Sequence, residues 1–336
     1  MKAALKLIMI FYALVAAASC SSYKWREYHA FTCGTACNII YRSQTDLGDS
    51  IASHLQLIES CLSIFNPQSP VSAVNRGDDI IADSILRRIF EKSYTTSAMT
   101  GGAFDPTIGP LVELWGFGSN HNYCTPTDSQ IDSALASVGI TRCAITADGR
   151  ISKKSDKTTF NFGAIGKGFA ADEIAGMLQR NGATDCMVEI GGDLALHGSS
   201  PRGTPWILQV DAPVENNTDT HERLLKIELT DCGIATSGNY RNYRSDSHGN
   251  RYGHTISPVT GRPVISDVLS ATVIAPDAAT ADGLATACMV LGSNRALDMA
   301  AHLDSIEIML VTPADSTTSG MQWKILTSPG FPPTQQ

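Results

Sequence analysis

The stretch Asn161-Phe162-Gly163-Ala164-Ile165-Gly166-Lys167-Gly168-Phe169-Ala170-Ala171-Asp172 constrains the chain most. Three glycines and a lysine open directly into an apolar, alanine-rich helical pattern. Glycine lets the backbone approach a ligand closely, and the first N–H groups of a helix present the positive end of its dipole. Lys167 adds a positive charge on a long stem. The glycines fall as G-x-x-G-x-G, which excludes the dinucleotide fingerprint G-x-G-x-x-G. A P-loop is excluded too, because Gly168 follows Lys167 where Ser or Thr would have to reach magnesium. Two readings stand: an anion pocket, or a tight turn ahead of a packed helix.

The 336 residues carry a formal net charge of -8 with no basic stripe, which argues against a nucleic-acid partner. At the N-terminus, Lys2 and Lys6 precede an apolar run from Leu7 to Val15 and the small residues Ala16-Ala17-Ala18-Ser19. That run is too short to cross a bilayer and reads as a signal peptide over 1–19. Cys20 then matches a lipid-attachment cysteine, with ordinary cleavage near Ala18 as the alternative. Residues 20–32 are expected to be a lipid-anchored tether, 33–328 a single folded domain and 329–336 a polar tail. This predicts an exported protein held on a bacterial membrane; Ser21 leaves the outer membrane open as the destination. The remaining cysteines are scattered and read as small core residues.

Apolar periodicity predicts helices over Asp46–Leu62 and Asp79–Thr96, and a loop at Gly101–Pro106. Thr107–Trp115 resumes an apolar pattern. Thr127 and Gln130 fit a capping box, Asp148-Gly149 a hairpin turn, and Asn181-Gly182 the stop of the helix that follows the glycine-rich stretch. Strands are expected over Cys186–Ile190, Leu194–His197, Trp206–Val210, Leu224–Leu229 and Val268–Ala275, and a final hairpin from Ile306–Val311 and Gln322–Leu326. Ala235–Tyr240 and Arg241–Gly253 read as loops, the second exposed. Early helices and late sequential strands predict an α+β architecture with much antiparallel sheet.

Asp282 and Thr286 lie four apart on a predicted helix from Pro276-Asp277 to Leu291, hence on one face. Their neighbours are apolar, and a buried lone carboxylate is costly. Mg2+, which takes oxygen ligands and shares them with phosphate, removes that cost. Alternatively, Asp282 caps a neighbouring turn and Thr286 bonds back to its own helix. His254 stands at the mouth of the compact turn His254–Pro263, where a histidine can move protons.

Six segments taken together resemble the ApbE family of FAD:protein FMN transferases. They are Gly101–Pro106 with Trp115–Gly118, Gly163–Gly168, Val188–Asp193, Ala235–Gly238, His254–Pro258 with Thr260–Pro263, and Ala281–Ala287. The resemblance implies a mostly antiparallel β-sheet core surrounded by helices, with the flavin site in a cleft between two subregions. It also implies that FAD is split with Mg2+, that FMN passes to a threonine hydroxyl of an acceptor flavoprotein such as a membrane redox-complex subunit, and that AMP leaves. Carried over by position, Asp282 and Thr286 bind magnesium with the Ala164 carbonyl and Ala285. Ala103, Phe104 and Asp105 hold FAD, with Asp105 on the adenine edge, and Asn161, Lys167 and Ile256 make further contacts. Asn161 stands where many members have aspartate. Cys33-Gly34-Thr35 replaces a common Met-Gly-Thr, and Phe65 replaces a tyrosine. His254 is expected to accept the threonine proton, and with Asp282 forms the expected catalytic pair. Water in place of threonine would make the chain an FAD pyrophosphatase, and absence of turnover would make it an FAD-binding lipoprotein. The family's acceptor motif does not occur in the chain, so the acceptor is expected to be another protein.

Overall fold

The computed structural model describes residues 22–118, 125–213, 223–238, 243–245, 251–314 and 323–334. In chain order the hairpin β1 (Lys24–Thr32) and β2 (Thr35–Ser43) is followed by α1 (Gly48–Leu62), α2 (Pro70–Arg76), α3 (Ser84–Met99), α4 (Gly109–Leu114) and α5 (Asp128–Leu135). A small hairpin, β3 (Cys143–Ile145) and β4 (Ile151–Lys153), leads to α6 (Gly166–Arg180). Then come β5 (Asp185–Ile190), β6 (Asp193–His197), β7 (Trp206–Asp211), β8 (Arg223–Leu229) and β9 (Gly233–Gly238). The short pair β10 (Tyr243–Ser245) and β11 (Arg251–Gly253) precedes β12 (Ser270–Ala275), α7 (Ala278–Leu291), α8 (Ser293–Ala301), β13 (Glu307–Pro313) and β14 (Trp323–Thr327).

Eight strands form one sheet in the order β1-β2-β5-β6-β9-β12-β13-β14, with every neighbouring pair antiparallel. The two-residue period of the strands supplies two apolar faces. Cys37, Ile39, Val188 and Ile190 turn to the helices of one core, with Val273 and Leu310 doing the same further along the sheet. Ile40, Met187, Ile274 and Met309 turn the other way, onto the hairpin β7–β8 with its Trp206, Leu208, Leu225 and Ile227. The sheet is thus sandwiched between helices and a hairpin, the predicted α+β arrangement. A satellite cluster of Leu111, Ile131, Val138 and Ile256 joins α4, α5 and the turn at Ser257–Gly261. Trp115 locks it by donating from Nε1 to the Gly261 carbonyl at 2.7 Å.

Several local predictions hold. The capping box at Thr127 and Gln130 is present, Thr146–Arg150 closes the β3–β4 turn, and α6 ends at Asn181 ahead of a left-handed Gly182. Others need correction. Lys24–Thr32 is a sheet strand and not a tether, because all nine residues pair with β2. The second helix starts at Ser84, after Asp83 accepts from the Leu86 N–H, rather than at Asp79. Ala235–Gly238 is central strand and not loop. At the start of the same strand packing demands a glycine: a Cβ at Gly233 would stand 2.1 Å from the Ala278 nitrogen. Within the expected loop Arg241–Gly253, β10 pairs with β11. The terminal segment is not wholly a free tail, since Phe331 packs against the β7–β8 core. Cys20, Cys124 and the signal segment lie outside the described residues. The described cysteines are unbonded and mostly buried, as expected.

Candidate active site

A cleft of about 700 Å³ opens between the main body and the satellite cluster. The body contributes Lys167 from α6, Asp282 and Thr286 from α7, and Thr236 to Gly238 from β9. The opposite wall is apolar and includes Ile108, Val112, Phe117 and Ile256. Phe104 and Asp105 lie in the connecting loop at Ala103–Pro106. That loop is held rigidly: Asp105 Oδ1 accepts from the Thr107 N–H at 2.8 Å and the Thr107 hydroxyl at 2.5 Å, while Oδ2 accepts from the Ile140 N–H at 2.9 Å. The Asn161 N–H donates to the Pro106 carbonyl at 2.7 Å and its Oδ1 accepts from Gly163 at 2.9 Å. The two loops that floor the cleft are therefore tied together by a backbone hydrogen bond.

The body wall depends on how closely α6 meets α7. A Cβ on Gly168 would stand 2.2 Å from the Ala278 carbonyl oxygen, so glycine permits the crossing. The crossing sets Asp282 Oδ2 3.2 Å from the Gly168 N–H, and Lys167 Nζ 3.7 Å from Asp282 Oδ1. Lys167 also makes a close ion pair with Asp193. Both carboxylates are almost wholly buried, while about a third (32%) of the Lys167 side chain stays accessible. Burial alone would lower the Lys167 ammonium, but Asp282 and Asp193 outweigh it and hold it above its usual range. Burial, then Asp282, pushes the Asp193 carboxyl up to about 7 against the pull of Lys167. At the helix start the Gly168 N–H faces the Asp282 carboxylate and the Gly166 N–H is spent on the Phe162 carbonyl, so of the two readings the turn ahead of a packed helix accounts for these donors.

Most of the expected site residues meet in this cleft: Ala103, Phe104, Asp105, Asn161, Ala164 and Lys167, with Ile256, Asp282 and Thr286. His254 is there too, exposed at the mouth. Three expected residues are not on the cleft wall. Ala285 is fully buried among the α7 core residues. Phe65 is 70% exposed beyond the end of α1. Cys33 is exposed at the left-handed β1–β2 turn, although the nearby Thr35 packs against Gly191 on the cleft wall. Sequence reasoning gave Asp193 no role of its own, and it marked Ser237 only as part of a hydroxyl-bearing segment suited to lining a polar ligand. The Ser237 hydroxyl is 3.3 Å from that of Thr286. Asp193 could have been suspected as a carboxylate directly after a Gly-Gly turn and before an apolar strand.

The donors on the body wall fit magnesium. A carboxylate (Asp282), a hydroxyl (Thr286) and the backbone of Ala164 share one wall, an oxygen set that leaves room for phosphate and water. Among the described residues there is no cluster of three or more His, Cys, Asp or Glu placed to hold a metal, as a zinc centre would need.

The ApbE family model matches residues 33–310, from the β1–β2 turn into β13. The chain belongs to the ApbE family. Among its relatives, the FAD:protein FMN transferase of Vibrio cholerae is 34% identical over 294 residues, covering 84% of this chain and 86% of the relative. That of Haemophilus influenzae is 34% identical over 278 residues, covering 80% and 77%. The structure of the flavin transferase ApbE from Vibrio cholerae superposes with a TM-score of 0.79 at 31% identity, over 92% of this chain and 99% of that one. The apo flavinyl transferase ApbE of Pseudomonas stutzeri gives 0.79 at 29% identity, over 91% and 95%. The ApbE architecture therefore extends over most of the chain.

Proposed function

We propose that this chain is an FAD:protein FMN transferase, which moves FMN from FAD to a threonine hydroxyl of an acceptor flavoprotein and releases AMP. The observation that carries this is one wall with a lysine between two buried carboxylates, facing an apolar wall across a cleft large enough for a dinucleotide. The apolar wall suits the ring systems, and the polar wall suits the diphosphate. In the reaction the acceptor oxygen forms a bond to the FMN phosphorus. The bond from that phosphorus to the AMP oxygen breaks, and AMP leaves with the electron pair. Lys167 stabilises charge on the diphosphate as that bond lengthens, from a position that needs no reorganisation. Asp282 and Thr286, with Ala164, would hold Mg2+, which supplies charge neutralisation to the phosphate oxygens. His254, exposed at the mouth where an acceptor arrives, takes the threonine proton. The buried Asp105 and Phe104 shape the nucleotide end.

Export and lipid attachment at Cys20 form part of the same proposal, supported by the charged, apolar and small-residue order of residues 1–20. Replacing Cys20 with alanine should release the protein from membranes; unchanged membrane retention would overturn the anchor. For the activity, the protein is incubated with FAD, Mg2+ and a threonine-bearing acceptor. A covalently fluorescent acceptor supports transfer. Free FMN without labelled acceptor points to the pyrophosphatase reading, and intact FAD sinks both.

A further inference from the structure

Lys167 and Asp282 pose an electrostatic conflict. If Asp282 holds a divalent cation, the Lys167 ammonium 3.7 Å from the same carboxylate repels that cation and competes with it for Asp282. Something must keep the ammonium back. Asp193 is the group placed to do so. It forms the closer ion pair with Lys167 Nζ, is 1% exposed, and lies behind the cleft wall rather than on it. Its own position is firmly set. Gly191 and Gly192, both with left-handed backbone, make a two-residue turn that pairs Asp193 with Ile190. The Thr236 N–H from β9 also donates to the Asp193 carboxylate.

We propose that Asp193 is a positioning residue that sets the metal affinity of the site by holding Lys167 off Asp282. The inference rests on the reading of Asp282 and Thr286 as metal ligands. Without the negative charge of Asp193, Lys167 has only Asp282 as a buried ion-pair partner, and the ammonium then sits where the cation must bind. Asp193 thereby frees Asp282 for metal and leaves Lys167 close enough to serve the diphosphate.

The test measures Mn2+ binding directly, from the loss of the free-ion electron paramagnetic resonance signal, so that no turnover is needed. Asp193→Asn keeps the side-chain shape, and circular dichroism checks that it folds. It should weaken Mn2+ binding at least tenfold. Adding Lys167→Met to that variant removes the competitor and should restore affinity to within about threefold of wild type, a rescue that simple structural damage would not give. Wild-type affinity in Asp193→Asn, or a loss that Lys167→Met does not rescue, overturns the proposal while leaving the metal reading intact. Failure of the wild-type protein to bind Mn2+ removes both. Success of the rescue in a protein that transfers no FMN would keep the inference and reject the transferase reading.

Discussion

Asp282 accepts a hydrogen bond at 3.2 Å from the backbone N–H of Gly168, 114 residues earlier in the chain. The contact ties the start of α6 to the middle of the first turns of α7, and it exists only because the two backbones touch. Gly168→Ala places a methyl group 2.2 Å from the Ala278 carbonyl oxygen, which belongs to backbone and cannot rotate away. Overpacking of this kind costs about 1–3 kcal/mol. The expected result is a melting temperature lower by several degrees, with FAD affinity lost in parallel. A variant as stable and as tight-binding as wild type would contradict the close crossing.

Asp282→Asn preserves the hydrogen bond from Gly168 but removes the charge. FMN transfer should fall by at least about a hundredfold, the scale of losing a principal electrostatic stabiliser, with melting temperature little changed. Thr286→Ala should cost less, because the Ser237 hydroxyl 3.3 Å away remains to offer oxygen. Chelation should abolish transfer in the wild type and change little in Asp282→Asn. Initial rates of acceptor labelling, with and without chelator, decide this.

Phe104 and Phe65 separate burial in the cleft from resemblance in sequence. Phe104 is 2% exposed and lines the cleft, so Phe104→Ala should destabilise the fold by about 3–5 kcal/mol and weaken FAD binding. Phe65 is exposed and off the wall, so Phe65→Ala should leave the FAD dissociation constant within threefold. Flavin fluorescence titration of both variants checks the contrast.

Asp172 gives the fold a pH dependence. It accepts from the Ala278 and Ala279 N–H groups at 2.9 and 2.8 Å. Burial, reinforced by Asp277, pushes its carboxyl up to about 7 despite those donors. A carboxyl in the unfolded chain titrates near 3.9. The folded state therefore binds the extra proton between the two values. Stability from this group is full below the lower value and is lost as pH rises towards the upper one. Asp172→Asn removes that titration and keeps one acceptor. Its melting temperature should vary less than that of wild type between about pH 5 and pH 8; parallel curves would contradict the assignment.

His254→Gln should slow acceptor labelling and flatten its pH profile while leaving FAD binding unchanged, since His254 stands at the mouth rather than in the floor. An unaltered profile would remove its proton-accepting role.

The sequence is legible where local chemistry fixes local structure. The Thr127–Gln130 box, the Gly182 stop and the Asp282/Thr286 helical face all follow from spacing within one turn. It misleads where tertiary contact decides. Ala235–Gly238 looks like a loop because its residues are small, yet every one of them pairs with a residue of β12. Lys24–Thr32 reads as a tether because its mixed polar pattern suits an edge strand as well as a free segment. Asp193 escapes notice because its partner Lys167 comes from another element, and no periodicity within β6 announces an ion pair.

β1 also acts as a ruler. Its nine residues begin just after Cys20 and end at the turn whose Thr35 touches Gly191 on the cleft wall. At about 3.3 Å per residue it spans roughly 30 Å. Were Cys20 lipidated as proposed, this length of paired strand would lie between the anchored end of the chain and the cleft, and acceptors would be selected by the height at which they present their threonine. A flexible spacer of about ten residues inserted after Ser22 should then alter labelling of a membrane-embedded acceptor and leave a soluble acceptor fragment unaffected.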